Sequence, residues 1–163
     1  MTNLPEILRC LTSAGVDFII VGGAAATAHG SSRLTDDLDL VYRRNPENIL
    51  RLVDSLAPFD PYLRGAPLGL PFKWDAQTVT NGLNFTLTTT LGPLDLLGEI
   101  AGGGQFENLA ADTLVIEVFG VRVLCLELET LIRVKRAAGR PKDFEALAEL
   151  EAILEERQRG ESL

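Results

Sequence analysis

Asp37 and Asp39 are separated by one leucine in Asp37-Leu38-Asp39-Leu40-Val41-Tyr42, a run that alternates as a half-buried strand does. At that spacing both carboxylates leave one face of the strand, while Leu38 and Leu40 enter the core. Two carboxylates held so closely repel each other unless a cation or a proton sits between them. Mg²⁺ suits such a pair, because it takes few carboxylates and completes its shell with water and phosphate oxygens. Asp95, between Leu94 and Leu96 on a second extended run, is the candidate third acid, approaching from an adjacent strand. Three carboxylates across a metal pair suit attack on the α-phosphate of a nucleoside triphosphate. One ion would lower the pKa of the attacking hydroxyl, and the other would neutralise the departing pyrophosphate. Asp95 is the natural residue to favour deprotonation of the attacking group. Blander readings stand beside these: an exposed strand face with incidental acids, and an Asp95 that caps backbone N–H groups near the Gly92-Pro93 turn. Similar carboxylates can also activate water, as in a metal-dependent phosphohydrolase or nuclease.

Gly22-Gly23 follows a strand-like run and precedes a short helical segment of small side chains. Without Cβ atoms, its N–H groups can approach phosphate oxygens, and a strand-to-helix turn that needs small residues explains the pair about as well. No Gly-x-x-x-x-Gly-Lys-Ser/Thr run is present, which argues against a P-loop ATPase. The glycine spacing also fails the dinucleotide-binding fingerprint.

Taken together, Gly22-Gly23, thirteen intervening residues and Asp37-Leu38-Asp39 resemble the signature of the nucleotidyltransferase superfamily that includes DNA polymerase β. The fuller run Val21 to Ala26, His29-Gly30, Arg33, Thr35 and Asp37 to Val41 is similar to its small bacterial members, the minimal nucleotidyltransferases and the AbiEii-like toxins. The stretch from Leu131 to Asp143 also resembles the AbiEii-type group. The resemblance implies a nucleotidyltransferase fold in which Gly22 and Gly23 cradle triphosphate and Asp37, Asp39 and Asp95 ligate two Mg²⁺ ions when nucleotide is bound. It implies that Lys135 reaches nucleotide phosphates. The expected activity is transfer of a nucleoside monophosphate to a hydroxyl acceptor, a tRNA end, a protein side chain or a small molecule, with release of pyrophosphate. The alternative is a catalytically inactive module of the same fold that binds nucleotide or a protein, in a toxin–antitoxin setting with an antitoxin partner or by self-association.

Several further residues have two readings each. Arg33 meets a phosphate or pairs with Asp36, and Thr35 orders the loop entering Asp37. Lys135 and Arg140, with Lys142 behind them, contact phosphates or are solvated bases near a helix C-terminus. His29, the sole histidine, reads as a satisfied residue at a helix end, and Trp74 as a packed ring rather than a base-stacking one.

The elements expected to carry these groups form an α/β (α+β) arrangement, a mixed β-sheet flanked by helices in one domain over residues 1–163. Helices are expected around Leu4 to Leu11, after Asn45-Pro46-Glu47, and from Leu128 into the basic cluster. A final helix over residues 143–157 is expected to begin with Asp143 as its cap. Strands are expected at residues 16–21, 37–42, 94–97, 115–119 and 121–126. Asn81-Gly82 predicts a hairpin joining Thr78-Val79-Thr80 to residues 83–89, and the proline-rich stretch 58–74 predicts a packed loop.

Composition narrows the partners. Lys and Arg total 15 against 23 Asp and Glu, a formal charge of −8, which suits a local nucleotide site better than a broad grip on duplex nucleic acid. Arg133, Lys135, Arg136, Arg140 and Lys142 nevertheless form an acid-free basic patch ahead of an acidic final segment. Cys10 and Cys125 lack spaced histidines, so buried free thiols are expected rather than a zinc site. With no membrane-length apolar run and no basic-then-apolar leader, a cytoplasmic location is expected.

Overall fold

The computed structural model describes residues 2–33, 35 and 37–161. The expected pairing of Arg33 with Asp36 lies outside the described residues.

Seven strands form one mixed sheet. They are β1 (Phe18–Val21), β2 (Leu38–Tyr42), β3 (Tyr62–Leu63), β4 (Asn84–Thr88), β5 (Leu94–Leu97), β6 (Thr113–Val118) and β7 (Val121–Leu126), in the spatial order β3-β4-β5-β2-β1-β7-β6. The central strands β1 and β2 run antiparallel, and each has a parallel neighbour on its outer side, β7 for β1 and β5 for β2. A strand with partners on both edges and helices nearby has no solvated side, which is why Phe18-Ile19-Ile20-Val21 is apolar throughout and buried throughout.

Helices flank the sheet: α1 (Leu4–Ser13), α2 (Gly22–Ala28), α3 (Pro46–Leu56), α4 (Ala76–Asn81), α5 (Phe106–Leu109), α6 (Leu128–Ala138) and α7 (Pro141–Glu161). Asn45 caps α3 by accepting from the Asn48 N–H at 2.8 Å, with Pro46 in the first turn, as the sequence predicts. Ile49, Leu52, Val53 and Leu56 bury its apolar side. Helix α2 packs on β1, β2 and α6, and α6 packs along α7. No described helix is long and apolar enough to cross a membrane.

Three local expectations differ from the structure. Residues 78–80 are helical, inside α4, so Asn81-Gly82 ends a helix rather than turning a hairpin. Asp75 decides this: its carboxylate accepts from the Thr78 N–H at 2.8 Å, and the helix it starts buries Val79 completely beside α3. The hairpin instead joins β4 to β5, closed where the Thr89 N–H and hydroxyl donate to the Gly92 carbonyl. The stretch 58–74 also contains a strand, the two-residue β3, which pairs with β4 at the sheet edge. Finally, α7 begins at Pro141, so Asp143 lies within its first turn rather than ahead of it.

Candidate active site

The sheet register brings the three aspartates together. Along the parallel pair β2–β5, Asp39 stands directly opposite Asp95, as Leu38 does opposite Leu94. Neighbouring strands lie only about 5 Å apart, so the two carboxyl groups meet. Asp37 lies just before β2, two residues from Asp39, on the same side. Leu38, Leu40, Leu94 and Leu96 are all fully buried beneath, which fixes the acids on the opposite face.

Asp39 is the most constrained of the three. Its Oδ1 is buried without a hydrogen-bond partner. Burial pushes its carboxyl up to about 7, and the charge of Asp95, a hydrogen bond with Asp95 and the charge of Asp37 add to the rise, against Lys135. Val21 is its partner in β1, so the glycine turn begins directly beside it. Gly22 has φ of +63°, and a Cβ there would come within 2.1 Å of Asp39 Oδ2. A Cβ on Gly23 would come within 2.8 Å of the Thr35 Oγ1. The glycine pair is therefore required by close approach to Asp39 and to Thr35, whatever else its backbone binds. Thr35 in turn donates to the Asp37 carbonyl at 3.0 Å, which ties the entering loop as expected.

Sequence reasoning missed Arg64. Its backbone N–H donates to the Thr86 carbonyl at 2.9 Å, and Thr86 is the β4 partner of Asp95. From there its guanidinium reaches Asp95 Oδ1 at 2.8 Å and Asp37 Oδ2 at 3.5 Å. The signal was slight, one of two bases (with Lys73) in an apolar, proline-rich stretch, and the strand that aims it is two residues long.

Of the basic residues expected on the phosphate side, Arg33 and Lys135 lie near the turn. A cleft of about 120 Å³ opens beside Gly23, lined by Ser31, Arg33, Thr35 and Lys135 and walled by Ala146 and Leu150 of α7. Arg33, Lys135 and Arg140 each already have an acidic partner from α7. Arg33 donates to Glu145 at 2.9 Å, and Lys135 and Arg140 both pair with Asp143, at 3.9 and 2.8 Å. Burial opposes charge on Asp143, but the Arg140 hydrogen bonds and the charges of Arg140 and Lys135 outweigh it and hold the carboxyl below its usual range. Arg140 thus contacts Asp143 within α7 and does not line the cleft. Glu149 accepts from the Ser31 and Ser32 hydroxyls, so α7 fastens the loop that leads to Asp37.

His29 is satisfied as expected: Nε2 is 2.6 Å from the Leu126 carbonyl, and Arg157 donates to Nδ1. Trp74 is a packing residue whose Nε1 donates to the Val53 carbonyl at 3.0 Å. Of the two free thiols, Cys125 is buried and Cys10 half-buried.

The donor set of Asp37, Asp39 and Asp95 is all hard oxygen and includes one buried, unmatched acceptor, which fits Mg²⁺ in kind. Among the described residues no three His, Cys, Asp or Glu side chains converge closely enough to hold a metal ion as they stand. Arg64 occupies two of the three carboxylates instead.

No protein-family model matches this chain, and no curated protein matches its sequence. Solved structures do match its fold. The lincosamide antibiotic adenylyltransferase LnuA, in a lincomycin-bound crystal structure, is 14% identical with a TM-score of 0.62, over 94% of this chain and 98% of that one. The chain has a nucleotidyltransferase-type fold. The same fold recurs in an antigenic nucleotidyltransferase-like protein from Paracoccidioides brasiliensis, at 16% identity and a TM-score of 0.57, over 94% of this chain and 77% of that one. It recurs again in the antibiotic-resistance factor ANT(2'')-Ia, at 18% identity and a TM-score of 0.55, over 98% of this chain and 91% of that one. The likeness shows the fold alone and does not single out the minimal or AbiEii-type group.

Proposed function

We propose that this chain is a divalent-metal-dependent nucleotidyltransferase that moves a nucleoside monophosphate from a nucleoside triphosphate to a hydroxyl acceptor. The observation that carries this reading is the register pairing of Asp39 with Asp95, which leaves a buried acceptor oxygen of Asp39 unmatched next to the glycine turn.

Asp37, Asp39 and Asp95 would hold the metal ions, for which Mg²⁺ is the expected choice. Bound there, the ions would make the acceptor hydroxyl more acidic and neutralise charge on the departing pyrophosphate. The acceptor oxygen attacks the α-phosphorus, the bond from that phosphorus to the bridging oxygen breaks, and pyrophosphate leaves. Asp95 takes the hydroxyl proton. The Gly22 and Gly23 backbone and the Lys135 ammonium, with Arg33 at the cleft edge, orient the triphosphate. The acceptor is a hydroxyl of a tRNA end, a protein side chain or a small molecule. The net charge of −8 weighs against a broad duplex-binding surface.

A specific observation favours a second reading, a non-catalytic module of the same fold. Arg64 already pairs with Asp37 and Asp95, and α7 already pairs with Arg33, Lys135 and Arg140. Titration calorimetry with Mg²⁺-ATP, on the native chain and on Asp37→Asn with Asp39→Asn, separates scaffold from nucleotide binder. Binding that the double substitution abolishes supports the metal site. Binding that survives it, or no binding at all, overturns it.

A further inference from the structure

The glycine turn, the acids and the basic cleft all have a role in the proposed transfer, but the guanidinium in their midst does not. Arg64 bridges two different carboxylates with two different nitrogens, Nη2 to Asp95 and Nη1 to Asp37. A third bond, from Nη2 to the Leu87 carbonyl at 2.7 Å, anchors the head group to β4.

The arrangement is incomplete on both sides. Arg64 Nε is buried without a partner, and so is Asp39 Oδ1. Each unmet group costs free energy that a better-matched partner would recover. A planar guanidinium offers one positive charge to three carboxylates and reaches two of them, whereas a divalent ion offers two charges and no fixed plane.

Arg64 also stands at the edge of the sheet. It follows the two-residue edge strand β3, and Gly65 comes next, at φ +77° with nothing within 4 Å of where a Cβ would stand. Leu68, three residues further, is 92% exposed.

We infer that Arg64 is a resident counter-ion of the aspartate cluster, and that a divalent metal enters by exchanging with its guanidinium. This rests on the nucleotidyltransferase reading above. Arg64 is a positioning residue here: it holds Asp37 and Asp95 beside Asp39 before metal arrives and sets how tightly metal binds.

The test is Mn²⁺ binding to the full chain without nucleotide, read by electron paramagnetic resonance of the free ion. Arg64→Gln should tighten Mn²⁺ binding on the order of tenfold, within the usual range for coupled sites. Arg64→Lys, which restores a cation, should return affinity towards that of the native chain. In metal-free buffer, Arg64→Gln should melt lower than the native chain, and Mn²⁺ should close the gap. A readout on the unaltered protein guards against a misfolded variant: phenylglyoxal labelling of Arg64, followed by mass spectrometry, should rise when Mn²⁺ is added. Equal or weaker Mn²⁺ binding in Arg64→Gln, or labelling that ignores Mn²⁺, overturns the exchange while leaving the metal site standing. Failure of both native and Arg64→Gln chains to bind Mn²⁺ overturns the exchange and the metal-dependent reading together.

Discussion

Asp39 and Asp95 are directly paired residues on adjacent parallel strands, and their proximity, on top of burial, favours the protonated form of Asp39. The Arg64 guanidinium pairs with the other two members of the cluster, Asp37 and Asp95.

The raised Asp39 carboxyl makes stability depend on pH. Burial, then the charge of Asp95, its hydrogen bond and the charge of Asp37, push the Asp39 carboxyl up to about 7. In the unfolded chain it titrates near its ordinary value, so between about pH 4 and pH 7 the folded state holds the extra proton. Stability should therefore fall as pH rises across that window, in chelator and at fixed ionic strength. Asp39→Asn should flatten this part of the melting-temperature profile, and a slope unchanged by the substitution would refute the assignment.

Gly22→Ala tests how tightly the turn is fitted. The new Cβ would meet Asp39 Oδ2, at a φ of +63° that side chains rarely adopt. A backbone cost of roughly 1–3 kcal/mol is expected from the conformation alone. Chemical denaturation should show that loss, and Mg²⁺-ATP binding should weaken with it because Asp39 must shift. Full retention of both would mean that the turn is not constrained as described.

Glu145→Gln removes the acid that faces Arg33 from α7. Both side chains are well exposed, so the stability change should stay under about 1 kcal/mol. Arg33 is then free for triphosphate, and ATP affinity should rise roughly two- to fivefold, the equivalent of one exposed ion pair. The gain should shrink as salt is added, since exposed pairs are screened. Unchanged affinity at low salt would remove Arg33 from the phosphate site.

How far the sequence spoke for itself differs by residue. The spacing of Asp37 and Asp39 was legible because side chains alternate with a period of two, and the leucines between and after them named the buried face. Asp95 was legible as an acid in an apolar strand, but its register with Asp39 depends on which strands become neighbours, and no local pattern encodes that. Thr78-Val79-Thr80 looked like a strand from its β-branched residues, and one capping carboxylate from Asp75 together with burial of Val79 made it a helix. Arg64 was hidden for a related reason: a two-residue edge strand owes its existence to β4 rather than to its own sequence. The basic run around Lys135 was visible in the sequence, but its members face different acids, Arg133 meeting Asp112, Arg136 meeting Glu151, and Lys135 and Arg140 meeting Asp143, a sharing that needed the α6–α7 turn at Gly139, a glycine in the left-handed region that folds one helix back on the other.

The decisive assay supplies ATP labelled at the α-phosphorus, with Mg²⁺ and cell lysate, to the native chain and to Asp37→Asn with Asp39→Asn. A nucleotidyltransferase places label on an acceptor and releases an equal amount of pyrophosphate, and the double variant does neither. Tight Mg²⁺-ATP binding with no labelled product, or orthophosphate in place of pyrophosphate, would contradict nucleotidyl transfer.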